Sequence, residues 1–145
     1  MKYIFSYWQL WAVLSAIFAA LTAIFAKVGI EKINSDFATF IRTIVILFVL
    51  GIILLSTNQF QPLKTVSQKS ILFLILSGIA TGGSWVCYFR ALKLGNASQV
   101  APIDKLSVVL VAVFGVIFLG EKLSLFGWLG IALIASGAVL IALRL

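Results

Sequence analysis

The amino-acid sequence predicts an all-α membrane protein, a polytopic transmembrane helical bundle of about five helices. Of its 145 residues, 63% are hydrophobic and only 10% are charged, and the mean hydropathy is +1.20. A soluble domain of this length leaves roughly a third of its unfolded surface in water, which is too much for a chain this apolar. The apolar residues also fall into runs of about 17–25 residues, the length that crosses a bilayer.

The predicted spans follow one another through short polar connections, so we interpret residues 1–145 as a single transmembrane domain. The spans are Tyr7–Ala26, Phe37–Leu55, Ile71–Phe89, Pro102–Leu119 and Leu125–Leu143. The first span has the charge and small residues of a secretory signal peptide, but further spans follow it instead of a polar domain. We therefore expect it to be a retained first helix.

Residues that begin and end helices agree with these limits. Asn34–Asp36 offer capping oxygens before the second helix, and Pro102 suits the first turn of the fourth, where a missing N–H costs little. Gly120 suits the end of that fourth helix, and Ser124 suits the cap of the fifth. The link between these two helices, which contains Glu121, is then a tight turn. Glu121 is interpreted as a residue that fixes the helix end or this link, and a substrate ligand is the alternative.

Small residues recur at a spacing that allows helices to approach closely in lipid. Gly78 and Gly82 form a GxxxG pair in the third span, and Ala132 and Ser136 repeat the spacing in the fifth. The preferred interpretation is helix packing inside one protomer. Lining of a cavity and a dimer seam are the alternatives.

The charges specify the membrane orientation only weakly. The net charge is +7, from 11 basic and 4 acidic residues, and alternation through the spans distributes the basic residues almost evenly between the two sides. One side holds Lys2, Lys64, Lys69 and Lys122, and the other holds Lys27, Lys32, Arg90, Lys93 and Arg144. A single orientation is preferred, and insertion in both orientations as an antiparallel pair is the alternative.

The same alternation predicts a cluster of ionic groups at one membrane level. Its members are Lys27, Asp36, Arg42, Arg90, Asp104 and Lys105. Arg42 is the deepest charge, roughly 7–8 Å into the membrane at helical rise. Asp104 is predicted to be the counter-ion of Arg42 or Lys27, with Lys105 pointing elsewhere around its helix. Three interpretations stay open: an interfacial salt bridge, the polar mouth of a translocation path, and snorkelling to the headgroups.

Composition argues against catalysis and against nucleic-acid binding. The chain has no histidine and a single cysteine, Cys87, so metal-ligand clusters, internal disulfides and Ser–His or Cys–His pairs are not expected. No Walker-type phosphate loop is present. The basic residues form no stripe interleaved with aromatic residues. We expect no enzyme activity, no cofactor, no metal and no nucleic-acid partner.

Three segments carry a resemblance to a known family. "FLGEKLSLFGWLGIALIASGAVLIAL" resembles the fourth-to-fifth helix signature of EamA-type domains, and "GSWVCYFRALKLGNASQVAPIDKLSVVLVAVF" resembles the preceding part of the same domain. "AALTAIFAKVGIEKINSDFATFIRT" is similar to the short, roughly five-helix branch found in bacteria and archaea. The resemblance implies half of a ten-helix transporter of the drug/metabolite transporter superfamily, in the cell (plasma) membrane. It implies a dimer as well, because longer relatives carry two such domains in inverted orientation.

The resemblance and the charge cluster together predict a secondary transporter of a small metabolite or drug that works by alternating access. The lipid bilayer, a small-molecule substrate and a second copy of the chain are the expected partners. The residues predicted along the substrate path or gate are Arg42, Asp104, Lys105, Lys27, Arg90, Thr81, Ser84 and Trp85, with Ser15 and Thr22 as further lining groups. A non-transporting membrane assembly component and a lipid-linked sugar flippase subunit are the alternatives.

Overall fold

The structure of the protein is a computed structural model that describes residues 7–143. Lys2 and Arg144, which enter the predicted charge count, lie outside the described residues. Helices account for most of the described chain. They are α1 (Tyr7–Gly29), α2 (Ser35–Ser56), α3 (Gln68–Leu94), α4 (Ala97–Asp104), α5 (Ser107–Leu119) and α6 (Leu125–Ala142), with a 3₁₀ turn at Leu63–Thr65.

The predicted all-α class is confirmed. Within residues 7–143, five helical stretches are long and apolar enough to cross a membrane, with α4 and α5 together forming one of them, Ala97–Leu119. The Asn34 side chain caps α2 by accepting hydrogen bonds from the N–H groups of Asp36 and Phe37. Ser124 caps α6 by accepting from the N–H of Gly127 at 3.1 Å. Both predicted caps are therefore present.

The third helix is longer than the apolar run predicted. It begins at Gln68 and continues to Leu94, so that Arg90 and Lys93 lie on the helix instead of in the loop after it. Ser67 begins the helix by accepting a hydrogen bond from the N–H of Ser70 at 3.0 Å, which is the usual cap geometry. The hydropathy pattern missed both ends because they are polar, and polar residues with straight side chains form helix readily.

The predicted start of the fourth helix at Pro102 is wrong. The helix begins at Ala97, and Pro102 lies inside α4, two residues before the helix ends at Asp104. The chain turns at Lys105 and Leu106, where the N–H of Leu106 donates to Ile103 O at 3.0 Å and that of Val108 donates to Lys105 O at 3.0 Å. These i→i−3 bonds interrupt the α-helical ladder. Asp104 and Lys105 therefore stand at a break within a predicted span.

Gly120 ends α5 in the left-handed region, with φ of +67°. The N–H groups of Gly120 and Glu121 both donate to Gly115 O, that of Glu121 at 3.1 Å, and so satisfy a carbonyl in the last turns of the helix. The Glu121 carboxylate lies so close to Gly115 that a Cβ added there would be 2.6 Å from its Oε2. Glu121 thus takes part in ending the helix, as the sequence predicted.

Replacement of Gly120 by alanine is expected to destabilise the protein by about 1 kcal/mol, because an L-residue is strained at positive φ. Denaturation in detergent, followed by circular dichroism, measures the change. Gly130→Ala is the matched control: Gly130 lies inside α6, and an added Cβ would meet no described atom within 4 Å. Equal stability losses in the two variants would contradict the strain argument.

The described chain divides into two compact units. Phe25–Lys93 forms one, and the described residues of Met1–Ile24 and Leu94–Leu145 form the other. In the latter, α4 and α5 both pack against α6. In the former, the buried side chains include Ile30, Phe89 and Leu92, at the end of α1 and in the last turns of α3. Most other apolar side chains are exposed, as expected of helices that face lipid.

Candidate functional site

The candidate site lies in the unit Phe25–Lys93, between α2 and α3. A groove of about 580 Å³ runs along the two helices. Its lining residues are Asp36, Thr39, Phe40 and Thr43 from α2, and Leu74, Ser77, Gly78, Thr81, Gly82, Trp85 and Val86 from α3. The wall is thus mixed, with one carboxylate, four hydroxyl groups and two aromatic rings among apolar side chains.

Two glycines determine how open the groove is. A Cβ added at Gly78 or Gly82 would meet no described atom within 4 Å, although close helix packing normally crowds a GxxxG face. Within the unit Phe25–Lys93 no described side chain packs on this pair, and the prediction that it packs helices inside one protomer stays a prediction. Within the described chain, the two glycines line the groove.

The threonines on the wall present hydrogen-bond acceptors. Each donates its hydroxyl proton to the carbonyl four residues earlier on its own helix: Thr39 to Ser35 O at 2.9 Å, Thr43 to Thr39 O at 2.8 Å, and Thr81 to Ser77 O at 2.9 Å. A hydroxyl has one donor and two acceptor positions. With the donor used by the backbone, the oxygen lone pairs remain for a ligand.

Asp36 forms the ion pair at one end of the groove. Its carboxylate accepts from Arg90 Nε at 2.9 Å and from Arg90 Nη2 at 2.6 Å, which is the bidentate geometry that makes such pairs strong. Asp36 lies in the first turn of α2 and Arg90 in the penultimate turn of α3. Each charge therefore also complements the dipole of its own helix.

Arg42 lies beside the groove, over an aromatic surface. Its guanidinium carbon is 4.2 Å from the centroid of the Trp85 ring and 5.2 Å from that of Phe89. Trp85 lines the groove and Arg42 does not. The aromatic rings offer cation–π contacts to a charge that is half-buried in the protein.

Two lysines link the end of α3 to its neighbours, Lys27 to the last turn of α1 and Lys93 to the α1–α2 connection. Lys27 donates to Leu92 O at 2.6 Å. Lys93 donates to three carbonyls, those of Ile30 at 2.5 Å, Glu31 at 3.0 Å and Ile33 at 2.9 Å. Lys27, a member of the predicted cluster, thus satisfies a backbone carbonyl at a helix end, and Lys93, which was not in that cluster, has the same structural task.

Lys93→Met is expected to loosen the α1–α2 connection, because three carbonyls lose their shared donor. Hydrogen exchange followed by mass spectrometry should show amides 30–34 exchanging about tenfold faster. Lys69→Met, at the opposite end of α3, is the control with the same loss of charge. Unchanged exchange in the Lys93 variant would mean that these bonds do not order the connection.

The structure thus brings several predicted site residues to the last turns of α3 and places others elsewhere. Arg42 and Lys27 contact this end of α3, and Arg90 lies on it. Thr81 and Trp85 line the groove. Ser84 is exposed and lies outside the lining, as do Ser15 and Thr22.

Asp104 and Lys105 belong to the other unit. Lys105 was predicted to point away from Asp104, but its Nζ lies 3.3 Å from Asp104 Oδ2. The two are adjacent at the break between α4 and α5, where the side chains can bend toward each other. The predicted pairing of Asp104 with Arg42 or Lys27 stays a prediction.

Sequence reasoning missed the partner of Asp36 and most of the α2 wall. Asp36 and Arg90 were both in the predicted cluster, but 54 residues separate them, and their pairing depends on the extension of α3 beyond the apolar run. Thr39 and Thr43 repeat at i, i+4 from Ser35 on one face of α2. That polar stripe in an apolar helix was the available signal.

Comparison with known proteins decides the family. Residues 6–143 match the EamA-like transporter family. The chain belongs to this family. It is 64% identical over 135 residues to a protein of a Sinorhizobium species named as an uncharacterized transporter in the cobO 3′ region, covering 93% of this chain and 96% of that one.

Two further relatives of the EamA-like chain differ in length. An uncharacterized protein of Methanocaldococcus jannaschii is 31% identical over 131 residues, with 90% of this chain and 92% of that one covered. The uncharacterized transporter YxxF of Bacillus subtilis is 30% identical over 137 residues, which is 93% of this chain but 42% of YxxF. No solved structure matches. The family and the five helices of spanning length together identify a multi-pass membrane protein.

Proposed function

We propose that this protein is a secondary transporter that carries a small metabolite or drug across the plasma membrane by alternating access, working as a homodimer. The α2–α3 groove is the observation that carries the proposal. Its volume of about 580 Å³ lies in the range of roughly 300–1,000 Å³ that is usual for small-molecule sites. Its polar groups are few and lie among apolar side chains, which is the ordinary composition of such a site.

The dimer is supported by the comparison with a longer relative. YxxF is more than twice as long as the segment that matches this protein, so two copies of this chain approximate one such relative. Transporters built from inverted repeats bind their substrates between the halves. The nearly even distribution of basic residues favours neither orientation, which suits an antiparallel pair.

Uptake into liposomes tests transport directly. Purified protein is reconstituted and offered a panel of radiolabelled probes: succinate, glycerol 3-phosphate, choline and glucose. At least one probe is expected to accumulate faster than in liposomes without protein, and to exchange with the same unlabelled probe loaded inside. Absence of uptake for the whole panel would favour the non-transporting assembly component.

The antiparallel arrangement has a separate test. Reporters active on only one membrane face, alkaline phosphatase outside and green fluorescent protein inside, are each fused after Leu145. Both fusions are expected to be active, because half of the chains insert in each orientation. Activity of only one reporter would leave transport possible and exclude the antiparallel dimer.

A further inference from the structure

Arg42 is a cation at membrane depth that pairs with no carboxylate of its own unit, Phe25–Lys93. It lies seven residues after the start of α2, roughly 10 Å along the helix. Charges at such depth usually pair with an opposite charge or mark a site. We propose that Arg42 binds an anionic oxygen group, a carboxylate or a phosphate, of the molecule that occupies the α2–α3 groove. The inference deepens the proposed transport function and rests on it for the identity of the groove.

The charges of the unit Phe25–Lys93 support this assignment. Its two carboxylates are Glu31 and Asp36. Asp36 is engaged in a bidentate pair with Arg90, and within this unit Arg42 makes neither an ion pair nor a hydrogen bond to Glu31 or Asp36. Lys27, which contacts the end of α3, and Lys93, which lies on that end, donate to backbone carbonyls. Among the described bases of this unit that lie near the groove, Arg42 is thus the one whose N–H groups make no hydrogen bond within the unit.

The aromatic contact favours oxyanion binding by orienting the guanidinium. A cation–π contact uses the face of the group, so the N–H groups at its edge are free for the forked geometry that carboxylates and phosphates require. Trp85 both lines the groove and contacts Arg42. An anion at Arg42 would therefore border the groove at this ring.

The rest of the wall is complementary to a ligand of this polarity. The hydroxyl oxygens of Thr39, Thr43 and Thr81 present lone pairs, because their protons go to the backbone. They suit the hydroxyl or amine donors of a ligand and would repel an oxyanion. Arg42 is consequently where the anionic end of a polar ligand fits this groove.

Trp85 provides a direct reading of occupancy. Trp8, Trp11 and Trp128 are changed to phenylalanine in the full-length chain, so that Trp85 is the remaining indole among the four of the sequence. In dodecyl maltoside, which carries no anionic oxygen group, succinate and glycerol 3-phosphate are titrated, with choline as the cationic control. A second arm adds short-chain phosphatidylglycerol to the micelles. A saturable change in Trp85 emission is expected with an oxyanion and not with choline.

Arg42→Gln in the same background is expected to weaken this binding by about thirtyfold or more. Arg42→Lys, which keeps the charge but loses the planar fork, is expected to bind with intermediate affinity and controls for folding. Lys64→Gln, in the α2–α3 connection, removes an equal charge away from the groove and should leave binding unchanged.

The two arms identify the source of the anion. A response to a soluble oxyanion that Arg42→Gln loses supports a free metabolite. A response to phosphatidylglycerol alone, also lost in Arg42→Gln, supports a lipid headgroup. Equal responses in Arg42→Gln and its parent, or no response to any of the three oxyanions, would overturn the proposal. Uptake of choline or glucose without oxyanion binding would overturn the role of Arg42 and leave the transport proposal standing. Oxyanion binding without uptake would support the role of Arg42 and count against transport.

Discussion

Gly82→Leu is expected to reduce uptake to the level of liposomes without protein. Gly82 lines the groove, and an added Cβ there meets no described atom within 4 Å. The new side chain therefore enters open space in the groove instead of displacing a packed neighbour. Leucine is also a better helix former than glycine, so α3 is not weakened. Initial rates of probe uptake into liposomes, at equal amounts of reconstituted protein, provide the measurement.

Gly137→Leu is the matched control for this experiment. Gly137 also lies inside a predicted span, and an added Cβ there also meets no described atom within 4 Å, but it belongs to α6 and does not line the groove. Its uptake should equal that of the unmodified protein. Cross-linking in both variants separates blockage from loss of a dimer. Full uptake in Gly82→Leu would remove the groove from the transport path.

The spans were predictable because lipid imposes a simple rule on them. Each crossing segment must be helical and mostly apolar, and the five runs of the sequence satisfied that rule. The ends were less accurate where polar residues extend a helix, as at Arg90 in α3. Pro102 was misplaced because proline is compatible with the first turn as well as with a helix about to end, and composition does not distinguish the two.

The site was predictable in its charges but not in its partners. Alternation through the spans placed Arg42 and Arg90 at one level, and both contact partners around the same end of the α2–α3 groove. The polar stripe of α2 was a signal for the face that lines the groove. Which group each arginine meets depends also on how α3 is rotated against that face, which the stripe alone does not specify. Arg42 consequently meets Trp85 in the described structure, although a carboxylate was expected.

The pair Asp36–Arg90 is the second place where a single change is expected to have a large effect. Asp36→Asn leaves Arg90 without its carboxylate partner, and Arg90→Gln leaves Asp36 without its guanidinium partner. Either change removes the bidentate link between the start of α2 and the end of α3. Because both helices form the groove, each single variant is expected to lose about tenfold in uptake rate, since charge-assisted bidentate pairs are the strong ones.

The exchanged double variant, Asp36→Arg with Arg90→Asp, tests whether the pair itself is responsible. It restores opposite charges at the same two positions, so uptake should exceed that of either single-site charge reversal. Recovery should be incomplete, because the arginine then lies at the positive end of the α2 dipole and the aspartate near the negative end of the α3 dipole. Lys122→Gln, in the α5–α6 link, controls for a general effect of charge. If the uptake rate of the exchanged variant does not exceed that of Asp36→Arg alone, the Asp36–Arg90 contact at 2.6 Å does not set the geometry of the groove. Asp36 would then act on its own as a groove carboxylate.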